Sequence, residues 1–325
     1  MAEPLYPLRF EPLFRRYLWG GRRLKSVLGK PIGEGADYAE SWEVVDHGAD
    51  QSRVAFGPLA GTTLGELVRQ RGEALLGRHH PQPQFPLLVK LLDAQQKLSV
   101  QVHPNDEQAA RLDVPDLGKT EAWIVLGAER GSRIFAGLKQ GFDRRALERE
   151  LNRGTCELCL HQFEPKVGDC IFLPAGTVHA LGAGLLIAEV QQSSDTTYRL
   201  FDWNRVGPDG RPRGLHIEQA LDVIDFDRGP VEPVRPAAAD EAEATRLVAC
   251  DKFVLDRLEI SASRTVGEAG RCHILLLLDG EIILAGDPSS QPLKRGETIL
   301  LPAATGAVEL TPLSPQASVL DVYLP

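Results

Sequence analysis

One nine-residue pattern occurs twice in this chain, and it limits the folds that the chain can adopt. Residues 167–175 read VGDCIFLPA and residues 295–303 read RGETILLPA, so each copy has a Gly-acid pair, an apolar run and a Pro-Ala pair. A glycine beside an acidic residue is typical of a turn, and the apolar run that follows is typical of a buried strand. The repetition therefore predicts two related units, both built on strands.

Short strands separated by Gly, Pro and Asp turns dominate the rest of the chain. The predicted strands are Leu87–Leu92, Lys97–Val102, Glu121–Leu126, Ser132–Ala136, Cys156–Phe163, Asp169–Leu173, Leu185–Gln191, Cys250–Ile260, His273–Leu278, Glu281–Ala285, Thr298–Pro302 and Ser318–Tyr323, with a turn at 93–96. The predicted helices are Thr63–Arg71, Asp143–Asn152 and His216–Ile224. Asp143 is expected as the N-cap of the second helix, and Arg153-Gly154 as its stop.

The segment 227–244 is rich in Pro, Ala and Glu, and this composition predicts a connector between two domains. Helices are predicted before this connector and are nearly absent after it. We therefore expect a first domain with helical elements at 1–230, a linker at 231–244 and a second, β domain at 245–325.

The repeated pattern, Gly-acid-x followed by three apolar residues and Pro-Ala, resembles the second characteristic motif of cupin β-barrels. In such a jelly roll the Gly-acid pair makes a turn and the next strand enters the barrel. The resemblance implies a mainly β fold of two cupin-like jelly-roll β-barrels in tandem, with a few helices packed on the first. Continued without gaps, the repeat places His179 opposite Ala307, which predicts a second barrel without metal.

Composition and charge restrict the class of protein. Hydrophobic residues make up 43% of the 325 residues and charged residues 25%, as in soluble globular proteins. No apolar run is long enough to span a bilayer, and the start of the chain at residues 1–4 lacks the features of a signal peptide. The net charge of -9 argues against a nucleic-acid surface. We expect neither a nucleic-acid nor a membrane partner.

The five cysteines are an odd number in a chain without a secretion signal, which predicts reduced thiols and a cytoplasmic location. Cys156 and Cys159 form a C-x-x-C motif. A zinc ribbon needs a second such pair, and the sequence has none. We interpret these two thiols as buried and inert.

The segment Gln101–Asp106 predicts part of a metal site. On a strand, the side chains of Gln101 and His103 point to one face, so an amide oxygen and an imidazole reach the same cavity. Glu121 and His179 follow in cupin-like order and complete a candidate set of four ligands. Two imidazoles and a carboxylate suit zinc and also non-haem iron. One coordination position is expected to stay open for water or substrate.

Four segments together resemble the type I mannose-6-phosphate isomerases, and the short bacterial form fits best. They are 101–106 (QVHPND), 118–121 (GKTE), 173–179 (LPAGTVH) and Glu189–Gln192 continuing to Asp202. The resemblance begins at about Leu8, passes through 39–43 (AESWE) and reaches the C-terminus. The combination of the four segments is specific, whereas any one of them is not.

The resemblance implies a zinc enzyme that interconverts mannose 6-phosphate and fructose 6-phosphate, with one Zn²⁺ bound by Gln101, His103, Glu121 and His179. It also implies that Arg199, Lys119 and Glu189 belong to the catalytic pocket, and that Ser99 contacts the phosphate. Larger members carry a lysine six positions after the arginine. Here that position is Arg205, a second expected phosphate contact, because arginine grips phosphate bidentately. The expected partner is a small sugar phosphate, and the expected state is a monomer or weak homodimer.

Other functions fit parts of the same pattern. An iron-dependent cupin oxygenase shares the two histidines and the carboxylate but has no need of the cationic residues. A non-catalytic sugar-phosphate-binding cupin is compatible with the fold, and a cupin-type glucose-6-phosphate isomerase with the chemistry. The general base is also open, because Glu189, Lys119 and a metal-bound water are all candidates.

Overall fold

The structure is a computed structural model that describes residues 4–206, 210–235 and 244–325. Residues 1–3 and 236–243, on which parts of the leader and linker predictions rest, lie outside the described residues. Strands predominate over helices, which confirms the prediction of a mainly β protein. The strands in chain order are β1 (Phe10–Glu11), β2 (Leu13–Gly21), β3 (Tyr38–Val44), β4 (Asp46–His47), β5 (Asp50–Gln51), β6 (Arg53–Val54), β7 (Leu87–Ala94), β8 (Val100–Val102), β9 (Glu121–Ala128), β10 (Ile134–Leu138), β11 (Leu160–Phe163), β12 (Cys170–Leu173), β13 (His179–Leu181), β14 (Leu185–Gln192), β15 (Tyr198–Phe201), β16 (Ala244–Ala249), β17 (Val254–Ile260), β18 (Arg264–Val266), β19 (His273–Asp279), β20 (Glu281–Leu284), β21 (Leu293–Lys294), β22 (Thr298–Leu301), β23 (Val308–Pro312) and β24 (Ala317–Tyr323).

The helices are α1 (Arg23–Ser26), α2 (Leu64–Leu76), α3 (Asp106–Ala109), α4 (Arg144–Arg153) and α5 (Ile217–Val223), with 3-10 turns at Cys156–Cys159 and Ala303–Thr305. The two longest, α2 and α4, begin and end at residues that the sequence marks. Thr63 caps α2 in a capping box with Glu66. Asp143 caps α4, and Gly154 ends it in the left-handed conformation. The predicted helices are confirmed, although α2 runs past its predicted end at Arg71.

Four main sheets stack on one another. Sheet I has the strand order β11-β10-β13-β8-β15, sheet II β12-β9-β14-β7-β3-β2, sheet III β16-β17-β24-β19-β22 and sheet IV β18-β23-β20-β21. Apolar side chains of sheets I and II share one core, and those of sheets III and IV share another. Helices α4 and α5 pack on the other face of sheet I.

The outer faces of sheets II and III also meet, in the largest apolar core of the described residues. Sheet II contributes Leu91 and Ile124, sheet III contributes Leu255 and Ile274, and α2 packs its apolar face into the same cluster. The two halves of the chain are therefore joined by buried side chains. The tandem-barrel arrangement and the domain boundaries remain predictions. Residues 231–235 follow the first half, where Val234 pairs with Cys170.

The two copies of the repeated pattern take the same local structure. Gly168 and Gly296 both have a positive φ, at 91° and 81°, which glycine adopts without steric cost. Each donates its amide to a strand of the adjoining sheet, Gly168 to the carbonyl of Val125 and Gly296 to that of Leu277. The strands that follow, β12 and β22, each pair antiparallel with that neighbour.

Several local predictions are wrong. The predicted strands Cys250–Ile260 and Lys97–Val102 begin only at Val254 and Val100. Asp93 and Ala94 continue β7 rather than forming a turn, because their backbone pairs with Leu185 and Leu186 of β14. The predicted strand at Cys156–Phe163 begins only at Leu160. The four residues before it form a 3-10 turn that buries both cysteines against α4 and sheet I.

Candidate active site

Strand β8 lies between the two strands that carry His179 and Arg199. In the sheet I register, Gln101 is directly opposite His179 of β13 on one side and Arg199 of β15 on the other. The flanking Val100 and Val102 pack into the core on the helical side of the sheet, so Gln101 points the other way, as alternation along a strand requires. One short strand thus joins a candidate metal ligand to a candidate substrate-binding cation.

Sheet II supplies the opposite wall. Glu121 starts β9, and Glu189 of β14 pairs in register with Trp123 on one side and Lys90 of β7 on the other. Glu121, Lys90 and Glu189 are all at most 4% exposed. The site therefore lies between sheets I and II.

Backbone contacts hold the ligand-bearing segments together. The amide of Gly176 donates to the carbonyl of His103 at 2.9 Å, and the amide of Lys119 donates to the carbonyl of Pro104, also at 2.9 Å. Gly118 allows this approach, because a Cβ there would lie 2.4 Å from the amide nitrogen of Asp106. The three segments thus converge through their main chains as well as their side chains.

His103, Glu121 and His179 form a buried cluster. The His103 Nε2 and Glu121 Oε2 atoms are 3.5 Å apart, and His179 Nε2 lies 3.2 Å from Glu121 Oε1. Potential ligand atoms of the three residues all lie within 4.8 Å of one another. Gln101 is beside them, with its amide nitrogen 3.3 Å from His179 Nε2. Lys119 Nζ is 3.0 Å from Glu121 Oε2.

Hydrogen bonds fix the tautomers of both histidines. His103 Nδ1 faces the carbonyl of Thr196 at 3.0 Å, and His179 Nδ1 faces the carbonyl of Thr177 at 2.8 Å. A carbonyl can only accept, so each Nδ1 carries the proton and each Nε2 presents a lone pair to the cluster. This is the arrangement that metal-binding histidines use.

Burial sets the protonation states of the cluster. It lowers the pKa of His179 to about 4 and, with Lys119 nearby, lowers the pKa of His103 well below its ordinary value, so both imidazoles are neutral at pH 7. Burial raises the pKa of Glu121, and the attraction of Lys119 only partly offsets this rise. Burial thus destabilises the ionised form of Glu121, and a bound cation would stabilise it.

The donor set fits a divalent metal. Both carboxylate oxygens of Glu121 are buried; Oε2 is ion-paired with Lys119, and Oε1 has no hydrogen-bond partner within the described part of the chain. Buried polar atoms are normally satisfied, so this carboxylate is suited to a further ligand. Two unprotonated imidazole nitrogens accompany it, with Lys119 Nζ 3.2 Å from His103 Nε2 and the Gln101 amide nitrogen 3.3 Å from His179 Nε2. This combination of ligands binds zinc or a similar ion.

Lys119 and Glu189 have opposite charges in the same pocket. Although burial opposes its charge, the carboxylates of Glu121 and Glu189 raise the pKa of Lys119 above its ordinary value. Burial would raise the pKa of Glu189, but Lys119, Lys90 and a hydrogen bond from Trp123 together lower it. Trp123 Nε1 donates to Glu189 Oε2 at 2.9 Å. At neutral pH, therefore, Lys119 is a cation and Glu189 an anion.

A cavity of about 590 Å³ adjoins the cluster. Five of the nine residues predicted for the site line it: Ser99, Gln101, Lys119, Glu189 and Arg199. At one end, Arg199 Nε donates to Ser99 Oγ at 3.3 Å. Arg213 lines the same cavity and lowers the pKa of Arg199, after burial, which has the larger effect. This end of the cavity is cationic.

Arg205 lies elsewhere. Its guanidinium donates to the carbonyl of Lys97 at 2.6 Å and forms an ion pair with Asp202. It lines a smaller cavity of about 100 Å³, which Arg213 also lines. Two acceptors thus hold Arg205 outside the large cavity.

The sequence patterns did not predict several residues of the cavity. Lys90 stands alone in the apolar run Leu87–Leu92, and a single charge in such a strand is a usable sign of a buried site. Trp123 follows Glu121 by two residues and therefore shares its face of β9. Asp195 and Arg213 lie in loops, where spacing along the chain gives no comparable sign.

The predicted inert thiols are buried in this structure. All five cysteines are free. Burial raises the pKa of Cys159 to about 11 and raises that of Cys156 further, so both stay protonated at neutral pH. No helix of the described residues is long and apolar enough to cross a membrane.

Comparison with known proteins identifies the family. The model of the type I phosphomannose isomerase catalytic domain matches residues 8–119, and that of the mannose-6-phosphate isomerase cupin domain matches residues 243–313. The mannose-6-phosphate isomerase ManA of Bacillus subtilis is 34% identical over 305 residues, which cover 94% of this chain and 95% of the relative. The chain belongs to the type I mannose-6-phosphate isomerase family. It is therefore an isomerase, as the four sequence segments indicated.

Two further similarities agree with this family. The mannose-6-phosphate isomerase of Streptococcus mutans is 34% identical, over 93% of each chain. The crystal structure of the mannose 6-phosphate isomerase from Bacillus subtilis superposes with a TM-score of 0.88 at 28% identity, covering 98% of this chain and 100% of that one. The fold and the family thus extend over nearly the whole chain.

Proposed function

We propose that this isomerase interconverts mannose 6-phosphate and fructose 6-phosphate, with one zinc ion held by Gln101, His103, Glu121 and His179. The observation that carries the proposal is the buried cluster of His103, Glu121 and His179 beside a cavity with a cationic end. The names of the relatives supply the substrate, and the cavity supplies the chemistry that such a substrate needs.

The metal would bind through the two Nε2 atoms, the Glu121 carboxylate and, after rotation of its amide, the oxygen of Gln101. When bound, a zinc ion supplies a Lewis acid that polarises carbonyl and hydroxyl oxygens of the open-chain sugar. The residues around it bind the substrate, move the proton and exclude water.

Glu189 is the proposed base. Interconversion of an aldose and a ketose moves a proton between C1 and C2 through a cis-enediolate, so a group must accept the proton and return it. Lys119 is held protonated by two carboxylates and cannot accept a proton, whereas Glu189 is ionised and lines the cavity. Lys119 instead adds positive charge near the developing oxyanion.

The cationic end is the proposed phosphate site. Ser99 offers a hydroxyl, and Arg199 and Arg213 offer guanidinium groups to the same cavity. A phosphate dianion is recognised well by such groups, and anchoring it would hold C1 and C2 near Glu189. Both arginines pair with Asp202, but only Arg213 lines the large cavity, so we propose Arg213 as the second phosphate-binding arginine.

A coupled assay tests the proposed reaction. The full chain is treated with chelator, reloaded with Zn²⁺ and assayed for conversion of mannose 6-phosphate to fructose 6-phosphate. We expect loss of turnover on chelation and its return with zinc. A zinc-loaded protein without conversion would disprove the proposed substrate, and full activity of the chelated protein would disprove the metal.

A pair of arginine variants tests the phosphate site. Arg213→Ala should raise KM for mannose 6-phosphate by about 10-fold to 100-fold, the loss expected for one charge-assisted hydrogen bond. Arg205→Ala is the matched control and should change KM less than about threefold. The reverse order would assign the phosphate contact to Arg205.

The free cysteines are consistent with the cytoplasm, which we propose as the location.

A further inference from the structure

Asp116 accepts hydrogen bonds in a loop that precedes the metal-site strand β9. It receives the Thr196 hydroxyl at 2.7 Å, the Ser194 hydroxyl at 2.8 Å and the backbone amide of Leu117 at 2.8 Å. The two hydroxyls bind Oδ2, whereas His47 Nε2 of β4 lies 3.2 Å from Oδ1, which also accepts the Leu117 amide. Burial opposes ionisation of Asp116, but these partners lower its pKa well below the ordinary value. The carboxylate is therefore a fixed anchor for the segment that contains Ser194 and Thr196.

The strand that carries His47 holds the same segment as well. Ser193 Oγ donates to the carbonyl of Asp46 at 2.9 Å. Beyond it, Asp195 and Thr197 line the large cavity. The turn between β14 and β15 is thus fixed on one side by Asp116 and β4, and presents its other side to the substrate cavity.

Thr196 connects this anchor to the metal cluster. Its hydroxyl donates to Asp116, and its carbonyl accepts the Nδ1 proton of His103 at 3.0 Å. The position of that carbonyl determines which nitrogen of His103 is protonated and where the ring points. His179 has no such remote support, because its Nδ1 bonds to Thr177, only two residues away, at 2.8 Å. The hydroxyl of buried Thr177 has no hydrogen-bond partner within the described residues.

We propose that Asp116 is a positioning residue for the metal site. It acts through Thr196 to orient His103, and His47 holds Asp116 in place. The inference rests on the proposed function, since it requires that His103 binds the metal. Groups that orient metal-ligating histidines commonly change metal affinity by about 10-fold to 100-fold when they are removed.

Two threonines provide a matched pair for the test. Thr196 and Thr177 each offer a carbonyl to a ligand histidine, but only the hydroxyl of Thr196 is bonded to an anchor. Thr196→Val removes that hydroxyl with little change in shape, and Thr177→Val makes the same change where no bond is lost. Thr196→Ser restores the hydroxyl. Asp116→Asn weakens the anchor itself, and Asp113→Asn repeats that change at an exposed site in the same loop.

The experiment measures the Zn²⁺ affinity of each full-length variant by competition with a chromophoric chelator, together with the visible spectrum of the Co²⁺-loaded protein. We expect Thr196→Val and Asp116→Asn to bind Zn²⁺ about 10-fold to 100-fold more weakly, with an altered Co²⁺ spectrum. Thr177→Val, Thr196→Ser and Asp113→Asn should stay within about threefold of the unmodified protein.

The outcomes separate the two proposals. If the unmodified chain binds Zn²⁺ but Thr196→Val binds it equally well with an unchanged Co²⁺ spectrum, the positioning role is wrong while the metal site stands. If Thr196→Val and Thr177→Val lose affinity equally, the effect is one of packing and the role is also wrong. If the unmodified chain binds no metal, the proposed metal site fails, and the positioning role with it. Should Asp116→Asn not fold, the threonine pair still decides.

Discussion

Sheets II and III carry polar side chains at corresponding positions relative to the repeated pattern. Within the described residues, only those of sheet II belong to a cluster of potential metal ligands. Glu121 pairs with Leu173 where the first repeat ends, and His273 pairs with Leu301 where the second ends. Glu189 and Asp321 also correspond. Glu189 lies opposite Trp123, two residues after Glu121, and Asp321 lies opposite Leu275, two residues after His273. The two halves therefore differ in the partners of these groups rather than in their placement.

The difference shows what a metal site requires. In the second half, His273 Nδ1 lies 2.8 Å from Asp321 Oδ1, so one imidazole nitrogen and the carboxylate are paired with each other. In the first half, the Glu121 carboxylate faces the unprotonated Nε2 atoms of two imidazoles, whose protonated Nδ1 atoms point away. The position that corresponds to His179 is Ala307, which is exposed. Within the described residues, three metal-ligand side chains converge only in the first half.

The largest expected effect separates His179 from His273. His179→Ala should abolish Zn²⁺ retention and lower kcat by about three orders of magnitude, because a bound metal contributes several kcal/mol to stabilising the transition state. His273→Ala should leave both within about threefold and lower only thermal stability. Metal analysis and the coupled assay measure the two properties. An active, zinc-loaded His179→Ala protein would refute the assignment of the first half.

Glu189 and Asp321 form the next pair. Glu189→Gln should lower kcat by about 10²-fold to 10³-fold, as expected for loss of a general base, with little change in zinc content. The variant should also stop exchanging the C2 hydrogen of mannose 6-phosphate with deuterated water. Asp321→Asn should leave kcat unchanged. If exchange continues in Glu189→Gln, another group is the base.

Metal affinity should depend on pH through Glu121. Zn²⁺ and a proton compete for this carboxylate, whose pKa burial raises above its ordinary value. Affinity should therefore be constant at high pH and fall by up to about tenfold per pH unit below the raised pKa. The histidines add to the fall only at lower pH, because burial lowers their pKa values. Chelator competition from pH 8 to pH 5 measures the curve, and a flat profile would contradict it.

The smallest effect compares the two repeat glycines. Both have a positive φ, so alanine at either position should cost about 1–2 kcal/mol of unfolding free energy. Gly296→Ala should cost more than Gly168→Ala, because its new Cβ would lie 2.9 Å from the Cβ of buried Leu28. At Gly168 the nearest atom is the end of the Arg257 side chain, at 3.1 Å, which can move. Urea unfolding of both variants measures the difference, and equal costs would show that Leu28 shifts freely.

Much of the fold and the ligand cluster was predictable because it depends on local chemistry. Rules that act within a few residues predict the cap at Asp143 and the stop at Gly154. They also predict the side of β8 to which Gln101 points. The assignment of roles to the site residues remains a prediction, although the structure brings most of them together.

What the sequence did not predict depends on contacts between distant segments. Arg205 has the expected spacing from Arg199, but the chain path turns it towards Lys97 and Asp202. Arg213 reaches the cavity from further along. Asp116 gave no sign of its role, because its partners Thr196 and His47 are about 70 residues or more away along the chain. Spacing alone cannot reveal such contacts.

The apolar layer between sheets II and III has a consequence for the protein as a whole. Side chains from both halves fill it, so either half expressed alone would expose a large apolar surface to water. Each fragment should aggregate by itself, whereas the two made together should find each other and restore catalysis. The second half would then be needed to cover the apolar face of the first half and keep it soluble.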